Sequence, residues 1–534
     1  MTDKKLWWQH GIIYQIYPRS FMDSNNDGIG DLEGVLQKLD YLADLGIDAI
    51  WFSPIYPSPD VDFGYDVADY CDIDKKFGDL DIFDRLLKEA HQRDIHIILD
   101  LVLNHTSDLH PWFKESKKSK DNPYHDWYIW RDPLAEGVPP NNWRSVFGGP
   151  GWEYVPELDQ YYYHMFCKEQ PDLNWRNPKV RESMLNVFKF WLERGVDGFR
   201  LDVFNMYFKH ENLLDNPVNR RGLRAFDRQT HLYDVSQPEM IPLLAEIRSL
   251  LDSYNERYVV GETFLADAQH AIQYIGPDRL HAGFDYGYAH CKWDSNQFAD
   301  EIRKWDALHV PTAWPNYFLN NHDTPRSATR YVKNEEDARL KVLAALHLTV
   351  RGTPFLYYGE EIGMRDIKLK RSQILDPVGK RYWPFNKGRD GCRSPMQWDQ
   401  QVNAGFSQST TWLPIHPNYM QRNVKNQSEN PDSLLNFYKT LIRLRRSHPA
   451  LYKGSIHFSE GISEKVLNFV RLTSEEQVMI ILNFDSKSHD FEIPGEYRST
   501  SWEVLYSQHQ CSGEKITNPK FSLAPYEILL LITK

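Results

Sequence analysis

Cysteine is scarce in this 534-residue sequence, and its positions do not favour cross-linking. The five cysteines are widely separated, odd in number and include no CxxC pair: Cys71, Cys167, Cys291, Cys392 and Cys511. Disulfide frameworks and zinc knuckles both depend on closely spaced cysteines. We therefore expect neither, and the predicted location is a reducing compartment, the cytoplasm.

Long apolar runs and an excess of positive charge are also missing. No apolar run approaches the ~20 residues that span a bilayer, and Gln9 and His10 interrupt the stretch near the N-terminus, so we expect neither a signal peptide nor a membrane partner. Lys and Arg number 62 against 74 Asp and Glu, a net charge of −12. Because phosphate recognition requires a basic surface, nucleic acid is not an expected partner.

Short β-branched or aromatic runs alternate with amphipathic stretches over most of the chain. Seven runs are predicted as buried strands: 11–17, 48–53, 96–102, 197–202, 257–262, 317–321 and 354–358. The segment 283–288 is the candidate for a missing sixth strand. In the stretch 178–195 the apolar residues share one helical face, and Gly195 supplies the stop. Eight such units predict an α/β fold, a (β/α)8 TIM barrel.

Two segments depart from this alternation. Residues 105–176 are rich in Trp, Tyr, Pro, Gly and Asn, and are too long for a loop between strands three and four, which predicts an inserted subdomain. From residue 455 onward, short alternating strands with turns predict a C-terminal antiparallel β-domain. The predicted division is therefore barrel 1–104, insertion 105–176, barrel 177–454 and β-domain 455–534.

Carboxylates fall at the ends of four predicted strands, at Asp100, Asp202, Glu262 and Asp323. In a TIM barrel the carboxyl ends of the strands form the active-site rim, so these residues should converge. An acid after an apolar run is unfavourable to bury unless it has a partner or a role. One such acid alone is better explained as a helix cap or ion-pair partner, but four together predict an active site.

Two of these acids have contrasting sequence surroundings. Arg200 and Asp202 share strand parity, so the guanidinium should favour the ionised form of Asp202, as a nucleophile requires. Glu262 follows the apolar residues Tyr258, Val259 and Val260. Apolar surroundings favour the neutral, protonated form of a carboxyl group, which suits Glu262 to act as a proton donor. A pair of carboxyl groups, one ionised and one protonated, can supply the nucleophile and the proton donor for glycoside cleavage.

The segments that carry these acids resemble the four short motifs of the α-amylase superfamily, glycoside hydrolase family 13. They are DLVLNH (100–105), GFRLD (198–202), GET (261–263) and FLNNHD (318–323). QPDLNW (170–175) and GRDGCRSPMQWD (388–399) resemble motifs of its oligo-1,6-glucosidase and α-glucosidase branch. The resemblance implies a retaining exo-α-glucosidase that acts on short oligosaccharides, as a monomer or homodimer.

The resemblance also implies residue roles. Asp202 would be the nucleophile, Glu262 the acid/base and Asp323 the third carboxylate, which grips the terminal sugar, with the first two carboxyls about 5 Å apart. The implied contacts to the same glucose are Tyr65, Asp66, His105, Arg200, His322 and Arg393. Phe147 and Phe166 match the aromatic lining of the pocket mouth; packing within the insertion is the alternative for both rings.

The segment 23–31 presents oxygen-bearing side chains at alternate positions around glycines, which suits Ca²⁺ or Mg²⁺. It resembles the family's calcium loop, which implies ligands from the side chains of Asp23, Asn25, Asp27 and Asp31 and from the carbonyl of Ile29. A polar turn without metal is the alternative.

Val203, directly after the predicted nucleophile, resembles the α-1,6-preferring members, in contrast to Ala or Thr in α-1,4-preferring ones. An extra apolar group there discriminates by only ~1–3 kcal/mol. Transglycosylating or isomerising enzymes and trehalose-6-phosphate hydrolases share the catalytic residues and remain alternatives, as does a non-catalytic relative. The segment TPRSATRY (324–331) lacks the Arg/Asp-rich loop of sucrose isomerases, and Arg220, Arg221 and Arg224 are candidates for a phosphate site.

Overall fold

Eight parallel strands form the central sheet of the protein. The computed structural model describes residues 6–265, 268–308, 314–459 and 464–533. The chain first forms β1 (Ile13–Ile16), β2 (Ala49–Phe52) and β3 (His96–Leu101), then β4 (Trp130–Arg131), β5 (Trp152–Val155) and β6 (Gln160–Tyr163) in an insertion. It continues with β7 (Gly198–Leu201), β8 (Tyr258–Gly261), β9 (Ala282–Gly283), β10 (Asn316–Phe318) and β11 (Thr353–Tyr357).

The order of the strands closes this sheet into a barrel. Neighbours run β10-β11-β1-β2-β3-β7-β8-β9, all in parallel pairs. A parallel bridge between Phe284 and Asn316 joins the chain after β9 to the first residue of β10. The predicted (β/α)8 barrel is confirmed.

Helices follow most of the barrel strands. They are α1 (Trp7–His10), α2 (Leu32–Gln37), α3 (Leu39–Leu45), α4 (Leu80–His91), α5 (Pro111–Ser116), α6 (Pro178–Arg194), α7 (Met240–Asp252), α8 (Ala268–Ile272), α9 (Tyr286–His290), α10 (Ser295–Leu308), α11 (Ser327–Tyr331), α12 (Ala338–Thr349), α13 (Pro377–Tyr382), α14 (Val424–Glu429), α15 (Leu434–Ser447) and α16 (Pro449–Lys453). Among the described residues, none of these helices has the length and apolar character needed to cross a membrane.

The helix α6 shows how local sequence sets these boundaries. The side chain of Asn177 accepts a hydrogen bond from the Lys179 backbone N–H and so caps the start, with Pro178 at the first helical position. The apolar face predicted from the spacing is buried, and the helix ends at Gly195, whose φ of 102° is accessible to glycine at little strain. The predicted stop is confirmed.

The sixth barrel strand is shorter than predicted. The segment expected to be extended was 283–288, but β9 covers only Ala282–Gly283 and α9 begins at Tyr286. The cause is local, because the Asp285 side chain accepts a hydrogen bond from the Tyr288 backbone N–H and starts a helix there. The prediction was right about the strand's place in the barrel and wrong about its length.

Three smaller sheets of the described residues lie outside the barrel. The strands β4, β6 and β5 form an antiparallel sheet within the predicted insertion. The C-terminal part contains β12 (Ser455–His457), β13 (Val466–Leu472), β14 (Gln477–Asn483), β15 (His489–Glu492), β16 (Glu503–Ser507), β17 (Lys520–Leu523) and β18 (Ile528–Thr533). These strands pair antiparallel in sheets of five and two strands, which confirms the predicted β-domain; the residue boundaries of the predicted domains stay a prediction.

Candidate active site

Hydrogen-bond register brings the predicted acids together at the carboxyl end of the barrel. Asp100 on β3 lies opposite Arg200 on β7, and the last residues of β7 and β8 are also paired. Asp202 and Glu262 directly follow those last residues. Neighbouring strands lie about 4.8 Å apart, so the register sets these two acids side by side.

The Arg200 guanidinium lies among three of the carboxylates. Its Nη1 donates to Asp100 Oδ1 and to Asp202 Oδ1, each at 2.6 Å, and its Nη2 contacts Glu262 Oε2. All four side chains are buried, and Arg200 is only 1% exposed. The prediction that Arg200 and Asp202 point to the same side is confirmed. One cation therefore holds three acids in fixed relative positions.

Burial opposes ionisation in this cluster. It raises the pKa of Asp202 above its ordinary value and that of Asp100 to about 6, with Arg200 acting in the opposite direction on both. The sequence predicts that the Arg200 guanidinium favours the ionised form of Asp202; the ion pair is present, but the effect of burial on the pKa is larger. Three carboxylates around one guanidinium carry excess negative charge, so the cluster favours holding a proton.

The surroundings of Glu262 differ from the prediction. The sequence suggested apolar company, whereas Oε2 contacts the Arg200 guanidinium and Oε1 accepts a hydrogen bond from the Tyr286 hydroxyl at 2.5 Å. Its chain neighbours are apolar, but the side chain turns toward the polar cluster. Tyr286 was missed because it belongs to the segment that had been predicted as strand.

Asp323 lies in a second ionic cluster. Arg393 Nη2 donates to its Oδ1 at 2.8 Å, and Arg389 Nη1 lies 3.4 Å from the same atom. Although burial alone raises the pKa of this carboxyl, the guanidiniums hold it below its ordinary value. Asp323 is thus held in its anionic form, which suits a group that binds and orients a neutral sugar.

The two predicted histidines are neutral hydrogen-bonding groups. Burial lowers the pKa of His105 to about 4 and that of His322 to about 3. His322 lies between Gln15, 2.8 Å from its Nδ1, and the hydroxyl of Tyr65 near its Nε2. His105 Nε2 lies 2.9 Å from the backbone carbonyl oxygen of Tyr65.

These groups surround a cavity of about 420 Å³. Its lining combines polar groups with apolar side chains: Asp62, Tyr65, His105, Val146, Phe147, Phe166, Asp202, Val203, Arg224, Glu262, Phe264, Asp323, Pro325, Val378, Asn386, Gly388 and Arg389. The three predicted catalytic acids therefore share one pocket with four of the predicted sugar contacts.

The other predicted sugar contacts are placed differently. Arg200, His322 and Arg393 are absent from the lining and instead contact the lining residues from behind. Asp66 does not reach the pocket: its carboxylate accepts hydrogen bonds from the Ser58 hydroxyl and from backbone N–H groups of its own loop.

Asp62 occupies the position that had been assigned to Asp66. It lines the pocket, and Arg389 Nη2 donates to its Oδ1 at 2.5 Å. Both acids flank the same glycine-tyrosine pair in VDFGYD (61–66), an irregular loop in which no periodicity distinguishes them. Arg389 was also missed, although it stands in the quoted motif GRDGCRSPMQWD.

Phe147 and Phe166 both line the pocket and also pack within the insertion. Their rings meet edge to face at 5.4 Å, and Phe166 lies 5.2 Å from the His105 ring. Arg389 lies over the Phe147 ring at 5.1 Å. The two interpretations of these rings are therefore compatible, because the insertion supplies its packed edge as one wall of the pocket.

The backbone turns sharply after the candidate nucleophile. Val203 has φ 33° and ψ 39°, a left-handed conformation that is strained for a β-branched residue. Its side chain is 5% exposed and lines the pocket. The turn ends β7 and directs the chain away from the barrel immediately after Asp202.

The predicted metal loop is closed by its own hydrogen bonds. Asp23 accepts from the backbone N–H groups of Asn25, Asn26 and Gly28. Asp31 accepts from Ser24 and caps α2 through the Gly34 N–H. In the described part of the chain, no group of three or more His, Cys, Asp and Glu side chains is assembled as a metal centre. The oxygen chemistry of the loop fits Ca²⁺, and the site stays a prediction.

Comparison with known proteins agrees with this geometry. The model of the α-amylase catalytic domain matches residues 15–454. The chain belongs to the α-amylase family. Similar proteins include a probable alpha-glucosidase of Rhizobium meliloti, 41% identical over 505 residues and covering 91% of each chain, and an oligo-1,6-glucosidase of Bacillus cereus, 38% identical over 567 residues and covering 99% of this chain and 100% of the relative.

The fold is similar over the whole chain to a solved member. The crystal structure of the alpha-glucosyl transfer enzyme XgtA has a TM-score of 0.93 and 37% identity, and covers 99% of this chain and 100% of its own. The predicted resemblance to the oligo-1,6-glucosidase and α-glucosidase branch of glycoside hydrolase family 13 is confirmed, and this α-amylase family member is a glycoside hydrolase.

Proposed function

We propose that the protein is a retaining exo-α-glucosidase that releases glucose from the non-reducing ends of short oligosaccharides. The observation that carries this proposal is the position of Asp202 and Glu262, which directly follow the paired ends of two adjacent strands and line one pocket. A short carboxyl separation is the geometry of retaining enzymes, in which one acid attacks directly. Relatives named alpha-glucosidase and oligo-1,6-glucosidase support it.

The proposed reaction proceeds in two steps. A carboxylate oxygen of Asp202 bonds to the anomeric carbon as the glycosidic bond breaks, while Glu262 transfers its proton to the leaving oxygen. Water then gives a proton to Glu262 and its oxygen to the anomeric carbon, which releases Asp202. Arg200 steadies both carboxyls throughout, and Asp323 binds the sugar hydroxyls as an anion.

The wall formed by Asp62, Asp323 and Arg389 favours action on terminal sugars. These lining residues are joined by ion pairs at 2.5 and 3.4 Å through the one guanidinium. Such a wall bounds the pocket on one side and offers both donors and acceptors to sugar hydroxyls. A chain that continued through it would have to break those contacts.

The test is product analysis on isomaltose, maltose, sucrose, trehalose and trehalose-6-phosphate. We expect α-glucose as the first product by proton NMR, and loss of essentially all turnover in a folded Asp202→Asn variant. A β-configured first product, or near-normal activity of that variant, would overturn the assignment.

We propose a preference for α-1,6 over α-1,4 linkages because Val203 adds an apolar group to the pocket beside the nucleophile. The ratio of kcat/KM for isomaltose and maltose measures it. Val203→Ala should reduce that ratio, within the ~1–3 kcal/mol that one methylene discriminates. A strong maltose preference in the wild type would contradict this proposal.

Glucosyl transfer is the second candidate, and the similarity to the alpha-glucosyl transfer enzyme XgtA favours it. Transfer products at high substrate concentration, in excess of free glucose, would support it over hydrolysis. A trehalose-6-phosphate activity is less well supported, since Arg224 already donates to both oxygens of Asp227 at 2.9 and 2.7 Å.

We also propose that the 23–31 loop binds Ca²⁺, with Mg²⁺ as the alternative, through Asp23, Asn25, Asp27, Asp31 and the Ile29 carbonyl. The support is the all-oxygen donor set, which hard cations prefer. The ion would stabilise the first loop after β1. Metal analysis of desalted protein, with Tm measured before and after chelation, tests it; retention of neither ion would remove it. The predicted cytoplasmic location and monomeric or dimeric state also stay predictions.

A further inference from the structure

The two oxygens of Glu262 have chemically different partners. Oε2 contacts the Arg200 guanidinium, which can only donate hydrogen bonds. Oε1 faces the Tyr286 hydroxyl at 2.5 Å, and a hydroxyl can donate or accept. A proton on Oε2 would point at a cation, so the neutral form of Glu262 carries its proton on Oε1.

Tyr286 is the partner that suits both states of this acid. Its hydroxyl donates to Oε1 when Glu262 is ionised and accepts from Oε1 when Glu262 is protonated. The phenol is half-buried beside a carboxylate, and both burial and the Glu262 charge raise the pKa of Tyr286, so it stays protonated. The hydroxyl therefore keeps its proton and remains able to donate a hydrogen bond to Glu262.

We propose that Tyr286 is a positioning residue that holds the reactive proton of Glu262 on Oε1 and stabilises the carboxylate left after proton transfer. This inference rests on the proposed function, in which Glu262 acts first as acid and then as base. Nothing in the sequence motifs points to Tyr286, because it lies outside all of them.

The position of Tyr286 is fixed by its packing. It is the first residue of α9, which Asp285 caps. Its ring meets Phe318 of β10 edge to face, with centroids 5.1 Å apart and planes at 84°. The hydroxyl is therefore held by the barrel itself and does not depend on a surface loop.

Several other charged or titratable groups face this pair. Arg200 and Asp202 lie on the β7 side, Asp100 lies on β3, and Asp323 lies on the loop after β10. The His290 ring lies 5.9 Å from the Tyr286 ring on the same helix. All of them remain when only the Tyr286 hydroxyl is removed.

The experiment compares Tyr286→Phe with Tyr288→Phe. Both changes remove one phenolic oxygen from α9 and keep the ring. Tyr288 is buried, and its hydroxyl has no hydrogen-bond partner among the described residues, so it is a matched control. We expect kcat/KM for isomaltose to fall at least tenfold in Y286F and to stay near the wild-type value in Y288F, because of these two hydroxyls it is that of Tyr286 that contacts Glu262.

A second substrate separates proton delivery from general damage. Fluoride leaves α-glucosyl fluoride without needing a proton, so Y286F should reduce turnover of isomaltose at least tenfold more than that of the fluoride. This ratio is unaffected by the fraction of folded protein, because both substrates report on the same active molecules.

Each outcome decides between the claims. Equal kcat/KM for Y286F, Y288F and wild type, or equal losses on both substrates, would overturn the role of Tyr286 alone. Wild-type protein that releases glucose from neither substrate would overturn the proposed function itself. A loss confined to Y286F and selective for isomaltose supports both.

Discussion

Arg389 joins three acidic residues from distant parts of the chain, and its removal should be severe. Its Nη2 donates to Asp62 at 2.5 Å and its Nε to Asp376 at 2.6 Å, and its Nη1 lies 3.4 Å from Asp323. Asp62 and Asp376 have side chains only 5% and 0% exposed. Arg389→Ala would leave both of these carboxylates buried without their closest cation.

The size of the effect follows from that burial. Removing one partner of a buried ion pair is destabilising by about 3–5 kcal/mol, because the remaining charge is uncompensated. We expect a loss in this range in the free energy of unfolding at pH 7. It should shrink toward pH 4, where the orphaned acids can take up protons. The free energy of unfolding of Arg389→Lys should lie between those of the wild type and Arg389→Ala. A lysine keeps the charge, but its ammonium group cannot reproduce the planar hydrogen-bonding geometry of the guanidinium.

Urea denaturation followed by tryptophan fluorescence measures the loss, and kcat/KM on isomaltose measures the effect on the site. We expect kcat/KM to fall at least tenfold, about 1.4 kcal/mol, because Asp62 and Asp323 line the pocket. Lys380→Ala, an exposed cation on α13, is the control and should change neither quantity. A loss below about 1 kcal/mol in Arg389→Ala would refute the view that this arginine organises the pocket wall.

Two further predictions concern the frame of the site. Burial raises the pKa of Asp285 to about 7. Ionising this buried acid therefore lowers the free energy of unfolding fully above pH 7, whereas below pH 4 the acid is protonated and has little effect. Asp285→Asn, which keeps the helix cap, should therefore stabilise by about 2–4 kcal/mol at pH 8 and little at pH 4; a Tm gain that does not change with pH would contradict the reasoning. Gly261→Ala would place a methyl group 2.4 Å from the Phe204 ring, so we expect a loss of about 1–3 kcal/mol and lower activity. Gly495 faces open space, so Gly495→Ala should change neither the stability nor the activity. An equal Tm for the two variants would contradict the close packing beneath Glu262.

The periodic parts of the fold were predictable from sequence because periodicity reports burial. The apolar face of α6 and its glycine stop match the structure, and the strand positions locate Asp202 and Glu262 at one barrel end. The sixth strand was the exception. There a single side chain, Asp285, overrides the apolar pattern by capping a helix.

The irregular parts were less accessible for a physical reason. Asp62 and Asp66 stand on either side of Tyr65 in a loop, and only the folded backbone decides which of them faces the pocket. The partners of Glu262 come from β7 and α9, so its chain neighbours were a poor guide to its environment. Contacts between side chains from distant segments cannot be predicted from the local sequence pattern.

The placement of the two proposed catalytic acids at matched register has a consequence for how such an enzyme diversifies. The backbone pairing of β7 with β8 sets their spacing, while other residues that line the pocket, such as Arg224 and Asn386, come from other parts of the chain. Exchanging the segment 216–240 for that of a relative should therefore alter which acceptors or linkages are used without changing the stereochemical course. Selectivity and reaction type can drift independently in this architecture.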